Sequence, residues 1–113
     1  KYETNNVHVL NAIKYINDNI TQPLSLNSIS SAIHLSREHT TRIFKKEMGK
    51  NFVTYLTEIR VEKAKTFLCC TSKKVYEIAY DVGFGDYRYF SQIFKKHTGL
   101  TPQEFKMSKN NTT

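Results

Sequence analysis

The chain contains a repeated segment, and this repeat limits the possible folds more than any other feature. The tetrapeptide Ile43-Phe44-Lys45-Lys46, with Gly49 close behind it, returns 50 positions later as Ile93-Phe94-Lys95-Lys96 with Gly99. An apolar pattern upstream of each tetrapeptide repeats as well, at a separation of 49. Self-similarity at a nearly fixed spacing is typical of a supersecondary unit that occurs more than once. Each copy fits a short helix, a tight turn and a second helix that ends in two lysines and a glycine, which is a helix-turn-helix pattern.

The charge balance favours a polyanionic partner. Lysine and arginine exceed aspartate and glutamate by seven among 113 residues, and the sequence pI is about 9.5. Such a chain attracts nucleic acid or an anionic membrane surface. No apolar run approaches the roughly 18 residues that a membrane-spanning helix needs, and the start of the chain lacks a secretion signal and an initiator Met. We therefore expect a cytoplasmic fragment of a longer protein, with room for one compact unit or two small ones.

Hydrophobic periodicity, with only four Gly and two Pro, predicts an all-α fold of seven helices joined by short turns. The predicted elements are a first helix over residues 7–20, a second capped by Ser25 or Asn27, a third between Ser36 and Gly49, a fourth over 52–70, a fifth through Val75 and Val82, a sixth from the Asp86 cap to His97, and a last one that starts at the capping box Thr101-Pro102-Gln103-Glu104.

The long fourth helix separates the two copies of the repeat. Its roughly 17 to 19 residues should measure about 25–28 Å. The pattern divides the chain into a first helix-turn-helix subdomain at 7–50, a linker helix at 51–71 and a second subdomain at 72–108, with tails at 1–6 and 109–113. A stiff helix of this length could set two DNA-binding faces about one turn of DNA, near 34 Å, apart.

The second helix of each copy separates into an apolar and a polar face. Ile43 and Phe44 must pack inward in the first copy, as must Phe90, Ile93 and Phe94 in the second. The outward residues carry groups that pair with base edges in the major groove: Arg with guanine, Gln with adenine, Glu with the cytosine amino group. With His39 added from the first turn, the predicted base-contacting residues are Arg37, Glu38, His39, Thr41, Arg42, Tyr87, Arg88, Ser91 and Gln92.

Other polar residues at these helix ends suit the DNA backbone. Lysines end both helices, and the free backbone amides after Ser36 offer further donors to phosphate. Asp86, the corresponding residue of the second copy, is less suitable because its carboxylate would repel a phosphate. The predicted phosphate-contacting residues are Ser36, Lys45, Lys46, Lys50, Lys95 and Lys96.

Simpler explanations exist for several of these residues. Arg42 or Arg88 could pair with a nearby acid, Tyr87 could be a support residue instead of a base contact, and Tyr89 fits the core better than the surface. Cys69 and Cys70 are adjacent and lack metal-ligand spacing, so reduced, buried thiols are the expected state. The sequence gives no reason to expect a cofactor, a metal or a catalytic site.

The chain resembles the DNA-binding domain of AraC/XylS-type bacterial transcription regulators over about residues 7–108. The resemblance is carried by Arg42-Ile43-Phe44-Lys45-Lys46-Glu47-Met48-Gly49, by Tyr55-Leu56, Ile59-Arg60-Val61 and Ala64, by Ile78-Ala79-Tyr80-Asp81-Val82-Gly83-Phe84, by Tyr89-Phe90-Ser91-Gln92-Ile93-Phe94-Lys95-Lys96, and by Gly99 with Thr101-Pro102-Gln103-Glu104-Phe105.

The resemblance implies two helix-turn-helix subdomains bridged by the long helix, with recognition helices in successive major-groove faces. It also implies an absent N-terminal domain that senses a signal or dimerises, contact with RNA polymerase, and activation more than repression. By position, it implies base contacts from Glu38, Thr41, Arg42, Tyr87, Arg88, Ser91 and Gln92. Three positions depart from the family pattern: Thr40 replaces a larger apolar residue, Gln92 stands where Arg is frequent, and Phe52 stands where Pro often starts the long helix.

Two functions therefore compete. The first is a sequence-specific regulator that binds a promoter site in double-stranded DNA with two half-sites about one turn apart. The second is a helix-turn-helix module that docks on another protein and binds DNA only nonspecifically, with a Kd of about 10⁻⁴–10⁻⁶ M. An enzyme is a distant third, since no recognisable catalytic arrangement is present in the sequence.

Overall fold

The computed structural model describes residues 4–110, and this part of the chain forms seven α-helices and no strand. The helices are α1 (Val7–Asp18), α2 (Leu26–Ile33), α3 (Arg37–Met48), α4 (Phe52–Cys70), α5 (Val75–Asp81), α6 (Tyr87–Thr98) and α7 (Pro102–Asn110). The predicted all-α fold of seven helices is confirmed. No helix in the described range is both long and apolar enough to cross a bilayer.

Short polar side chains start the helices of the first repeat. Ser25 caps α2, because its hydroxyl accepts from the Ser28 N–H at 3.1 Å while the Ser28 hydroxyl accepts from the Ser25 N–H at 2.9 Å. This reciprocal pair decides between the two predicted caps, Ser25 and Asn27. Ser36 caps α3 in the predicted way and accepts from the His39 N–H at 3.0 Å.

Glycines end α3 and α6 identically, as the repeat requires. Gly49 and Gly99 adopt left-handed conformations with φ of 74° and 85°, and each donates its N–H to the carbonyl four residues back, on Lys45 or Lys95. An L side chain at a left-handed position clashes with its own backbone, so glycine is the residue that stops a helix this way at least cost.

Helix boundaries differ from the prediction at both ends of the chain. The first helix ends at Asp18 instead of residue 20, and Asn19 closes it with its backbone N–H and its side chain. Within the predicted tail 1–6, Asn6 caps α1 and the Thr4 hydroxyl donates to Glu47. The last helix includes residues 109 and 110, which were predicted as tail. Residues 1–3 and 111–113 lie outside the described part.

The chain divides into two compact units, Lys1–Glu58 and Ile59–Thr113, and the boundary falls inside α4. Residues 52–58 of α4 therefore belong to the first unit and residues 59–70 to the second, whereas the sequence pattern treated residues 51–71 as a separate linker.

The core of the first unit is apolar with one buried polar pair. Phe44 is fully buried and lies edge-on to Phe52 and Tyr55, with ring centroids 6.0 and 5.5 Å away. The buried polar pair is Ser30 and Thr40, whose hydroxyls are 2.9 Å apart. The other buried apolar residues of this unit are Val9, Ala12, Ile16, Ile29, Ile33, Ile43, Met48 and Leu56.

Aromatic rings build the core of the second unit. Phe90 lies 5.1 Å from Phe84 and 5.7 Å from Phe94, and Phe94 meets Phe105 of α7 edge-on at 5.4 Å. Val61, Ala64 and Leu68 of α4, together with Val75, Ile78, Ala79 and Val82 of the α5 region, complete this cluster. The packing fixes which side of α6 faces outward.

Candidate nucleic-acid interface

The outward face of α3 contains all five residues that were predicted to contact bases in the first copy. Because Thr40, Ile43 and Phe44 are buried, the opposite side of the helix faces solvent. Arg37, Glu38, His39, Thr41 and Arg42 are all exposed. Four of them, all but His39, line one shallow depression together with Leu26 from the start of α2. The geometry therefore brings two guanidinium groups, a carboxylate and a hydroxyl onto one surface.

The guanidinium groups of Arg42 on α3 and Arg88 on α6 are available for an external partner. Within residues 4–110, neither Arg42 nor Arg88 forms an ion pair, so the competing explanation of a local salt bridge is wrong in this structure. Glu47, an acidic residue on the same helix as Arg42, instead accepts from the Thr4 hydroxyl. A guanidinium left exposed at the surface retains its full set of donors for a base edge or a phosphate.

His39 differs from its neighbours on α3. Its backbone N–H is held by the Ser36 cap, and its ring lies 6.4 Å from the ring of His8 on α1 at a tilt of 56°. The imidazole is still exposed. His39 thus lies at the side of the α3 face, next to α1.

The outward face of α6 repeats this arrangement in the second unit. Phe90 and Phe94 are fully buried and Ile93 is half-buried, which agrees with the predicted inward side. Arg88 and Gln92 are exposed, Tyr87 is 46% exposed, and Ser91 is half-buried. Asp86 caps the helix by accepting from the Arg88 N–H at 2.9 Å. Donors and acceptors of several kinds therefore line this surface too.

Three residues lie at the surface against expectation. Tyr89, which fitted the core better in the sequence, is 52% exposed, whereas the neighbouring Phe90 is fully buried and takes the inward position. Cys69 and Cys70, expected to be buried, are both exposed free thiols at the end of α4. Leu68 fills the core in that turn, which leaves the two cysteines outside.

The lysines predicted to contact phosphate fall into two groups. Lys45, Lys46, Lys95 and Lys96 are exposed in the last turns of α3 and α6, and none of them forms an ion pair within the described residues. Lys50 is different: its side chain is only 17% exposed, and its ammonium is paired with Glu58. Ser36 is exposed, with its hydroxyl oxygen occupied by the α3 cap.

Sequence reasoning did not identify Arg60 as a residue near the outward face of α6. It lies on α4, and its guanidinium is 6.0 Å from the centroid of the Phe84 ring, in the turn before α6. Burial lowers the pKa of Arg60, while the nearby Tyr89 phenol acts in the opposite direction. The only available signal was a lone basic residue between apolar positions of the long helix.

No group of three or more His, Cys, Asp or Glu residues in the described part of the chain could hold a metal ion. The candidate surfaces are the exposed donors, acceptors and cations on α3 in the first unit and on α6 in the second.

Comparison with known proteins finds the same kind of domain. A family model described as a helix-turn-helix domain matches residues 29–108. The chain is 42% identical over 101 residues to the bifunctional transcriptional activator/DNA repair enzyme AdaA of Bacillus subtilis, a match that covers 88% of this chain and 48% of AdaA. The chain thus spans about half the length of this curated relative.

Two solved structures match over most of both chains. The C-terminal domain of the two-component response regulator yesN from Fusobacterium nucleatum is 37% identical, with a TM-score of 0.83 over 89% of this chain and 98% of that one. A transcriptional regulator of the AraC-type DNA-binding domain-containing proteins from Chromobacterium violaceum is 28% identical, with a TM-score of 0.85 over 95% and 96%.

Proposed function

We propose a function from one premise: this chain belongs to the AraC-type family of helix-turn-helix domains. The chain is a DNA-binding unit of a transcription regulator. It binds double-stranded DNA sequence-specifically, with α3 and α6 as recognition helices that each enter the major groove.

The observation that carries the proposal is the pair of outward faces on α3 and α6. Each helix buries an aromatic side and exposes a guanidinium that lacks an ion pair within residues 4–110, Arg42 on α3 and Arg88 on α6. An unpaired guanidinium can bond to O6 and N7 of guanine with two parallel hydrogen bonds. The exposed Gln92 adds a carboxamide that suits adenine, and Glu38 adds a carboxylate that suits the cytosine amino group.

The lysine ends of the two helices supply the backbone contacts. Lys45, Lys46, Lys95 and Lys96 are exposed and lack carboxylate partners in the described chain. Ammonium groups of this kind neutralise phosphates and release counterions, which adds affinity without base preference. Because Lys50 is paired with Glu58, we expect it to contribute less to the DNA affinity than the other four lysines.

The role of the whole protein extends this proposal. The AdaA relative is named as a transcriptional activator, and we propose activation for this protein, with RNA polymerase as a further partner. A companion domain outside the described residues would supply the regulatory signal. We propose that the protein acts in the cytoplasm, where bacterial promoter DNA is found. The name of AdaA also includes a repair enzyme, but the outward faces of α3 and α6 hold no arrangement of reacting groups, and we propose no catalysis for this chain.

Selection from a randomised pool of DNA duplexes at about physiological salt tests the proposal directly. We expect the 113-residue chain to enrich two blocks of sequence, one for each recognition helix, with centres about 10 base pairs apart. Enrichment of a single block would assign base contacts to one helix alone. A failure to enrich any sequence, with a Kd for all duplexes of about 10⁻⁴–10⁻⁶ M, would favour the protein-docking function instead.

Two variants then separate base contacts from phosphate contacts. Replacement of Arg42 by Ala should cost about 1–3 kcal/mol of binding free energy and relax the choice at one base position. Replacement of Lys46 by Ala should weaken binding to all duplexes by a similar factor. If Arg42→Ala changed neither affinity nor base preference, α3 would not be a recognition helix.

A further inference from the structure

We propose that Tyr89 is an additional contact to the DNA backbone and that Arg60 is the positioning residue that holds it in place. This inference rests on the proposed function, since it concerns the same α6 surface. It adds two residues that sequence reasoning placed in the core or did not single out.

The position of Tyr89 on α6 suits a phosphate contact. Tyr89 is the third residue of the helix, and residues three and seven positions further on, Gln92 and Lys96, follow it along the same side. All three are exposed. Tyr89 therefore begins a row that passes a candidate base contact and ends at a candidate phosphate contact. A phenol O–H at this point can donate to a phosphate oxygen, as tyrosines do at many DNA interfaces.

The Tyr89 ring packs beside the Phe84 ring, and Arg60 contacts Phe84 in turn. Its centroid lies 5.9 Å from that of Phe84, and the Arg60 guanidinium lies 6.0 Å from the Phe84 centroid. Phe84 itself is anchored against the buried Phe90 at 5.1 Å. Arg60 is half-buried, so it is better placed to orient this group than to reach a ligand. A ring fixed in this way gives up little conformational freedom on binding, which favours the contact.

The internal repeat provides a second observation. His39 precedes Tyr89 by 50 positions and is likewise the third residue of its recognition helix. It is also exposed, and its ring lies near that of His8 on α1. In both units, then, a polar ring lies exposed at the third helical position, and a basic residue of the helix before the helix-turn-helix lies close by. The exposed ring at the third helical position thus recurs in both copies of the repeat, whereas His8 and Arg60 do not occupy equivalent positions in it.

Replacement of Tyr89 by Phe tests the hydroxyl alone, because the ring and its packing remain. Tyr80 on α5 is 72% exposed, and Tyr80→Phe is the matched control. We would measure the Kd of both variants for a duplex selected with the parent chain and for a scrambled duplex. For Tyr89→Phe we expect binding about 3- to 10-fold weaker on both duplexes, the loss of one hydrogen bond. Tyr80→Phe should bind like the parent chain.

Other results would overturn the assignment in distinguishable ways. Unchanged affinity of Tyr89→Phe would show that the ring only packs on Phe84. Weaker binding to the selected duplex alone, or a changed base preference, would make Tyr89 a base contact instead. If the parent chain itself did not prefer the selected duplex over the scrambled one, the proposed function would fail, whatever the variants did.

The positioning role of Arg60 has its own test. Arg60→Gln should weaken binding in the parent chain but add little in the Tyr89→Phe background, because both changes remove the same contact. The dependence of log Kd on log salt should keep its slope. An additive loss, with a slope reduced by about 0.9, would make Arg60 a direct phosphate contact and overturn the positioning role. Arg60→Lys, which keeps the cation, should recover part of the affinity, and thermal unfolding would verify that each variant folds.

Discussion

Among single residues, Thr40 shows how a polar side chain can occupy a core position. It stands where the resemblance led us to expect a larger apolar residue, and it is fully buried. Its hydroxyl donates to the Ser36 carbonyl at 2.8 Å and accepts from the Ser30 hydroxyl at 2.9 Å. Both hydroxyls are thus satisfied, and a satisfied polar pair avoids the cost of burying a lone polar group.

A double-mutant cycle tests this pair. Thr40→Val keeps the shape of the side chain but leaves the Ser30 hydroxyl without its acceptor, so we expect a loss of about 1–3 kcal/mol in the free energy of unfolding. Ser30→Ala in the same chain should recover most of that loss, because no orphaned group remains. Urea unfolding would measure the free energy of unfolding of the Thr40→Val and Ser30→Ala single variants and of the double variant. A double variant as unstable as Thr40→Val alone would show that packing, not hydrogen bonding, sets the cost.

For whole elements, the left-handed glycine that ends α6 can be compared with a glycine of ordinary conformation in the preceding turn. A Cβ added at Gly99 or at Gly85 would meet no atom within 4 Å, so neither site has a steric neighbour. They differ in backbone conformation, because Gly99 has a φ of 85° and Gly85 is not among the positive-φ residues. The pair therefore isolates the cost of the left-handed conformation.

We expect Gly99→Ala to lower the free energy of unfolding by about 1–2 kcal/mol, the cost of a left-handed L residue. Gly85→Ala should be neutral or stabilise by up to about 1 kcal/mol, because it restricts the unfolded chain without strain. Denaturant unfolding of the two variants would test both values. Equal destabilisation at both glycines would mean that the conformation of Gly99 is not what limits α6.

The capping box of α7 makes a pH-dependent contribution. The Thr101 N–H donates to the Glu104 carboxylate at 2.9 Å, and the Glu104 N–H donates to the Thr101 hydroxyl at 3.1 Å. The bond from the Thr101 N–H, helped by the Thr101 side chain, holds the pKa of Glu104 below its ordinary 4.5. A carboxyl whose pKa is lowered by folding stabilises the native state above the unfolded-state pKa and loses that effect as pH falls through the folded-state pKa.

Glu104→Gln keeps a capping side chain but removes the titration. We therefore expect the stability difference between the parent chain and this variant to be constant above about pH 5 and to shrink as the pH is lowered from there. Thermal unfolding of both proteins between pH 7 and pH 3 would measure it. A difference that grew on acidification would contradict the direction of the Glu104 shift.

For the whole molecule, the sequence was sufficient to predict the helices but not to predict which side chains are buried or paired. Capping residues, stop glycines and the 3.6-residue period act locally, so they predicted the bounds of α3 and α4, and those of α6 to within one residue. Tyr89 and the two cysteines were misplaced because apolar character does not decide which of two adjacent residues faces the core. The pairing of Lys50 with Glu58 depends on the direction in which α4 leaves the connection after Gly49, and no local sequence pattern specifies that direction.

The net charge of +7 raises the question of whether DNA binding depends on the total charge of the chain or on individual lysines at the ends of the recognition helices. Lys46→Ala and Lys14→Ala answer it, because each removes one positive charge from the first unit. Lys46 is exposed at the end of α3 without an ion pair in the described chain, whereas Lys14 on α1 is paired with Asp18 at 2.7 Å. If phosphates are contacted by the recognition helices, only Lys46→Ala should flatten the plot of log Kd against log salt, by about 0.9.

If attraction to the overall charge were sufficient, both variants would weaken binding alike and leave base preference unchanged. A flattened slope for Lys46→Ala alone would instead locate the phosphate contact at the end of α3. The same comparison with Lys96→Ala would extend this result to α6, whose lysine end repeats that of α3. A lysine at a helix end that faces outward can neutralise a DNA phosphate and so release a counterion from the DNA. Lys14, which is already paired with Asp18, contributes less to that release.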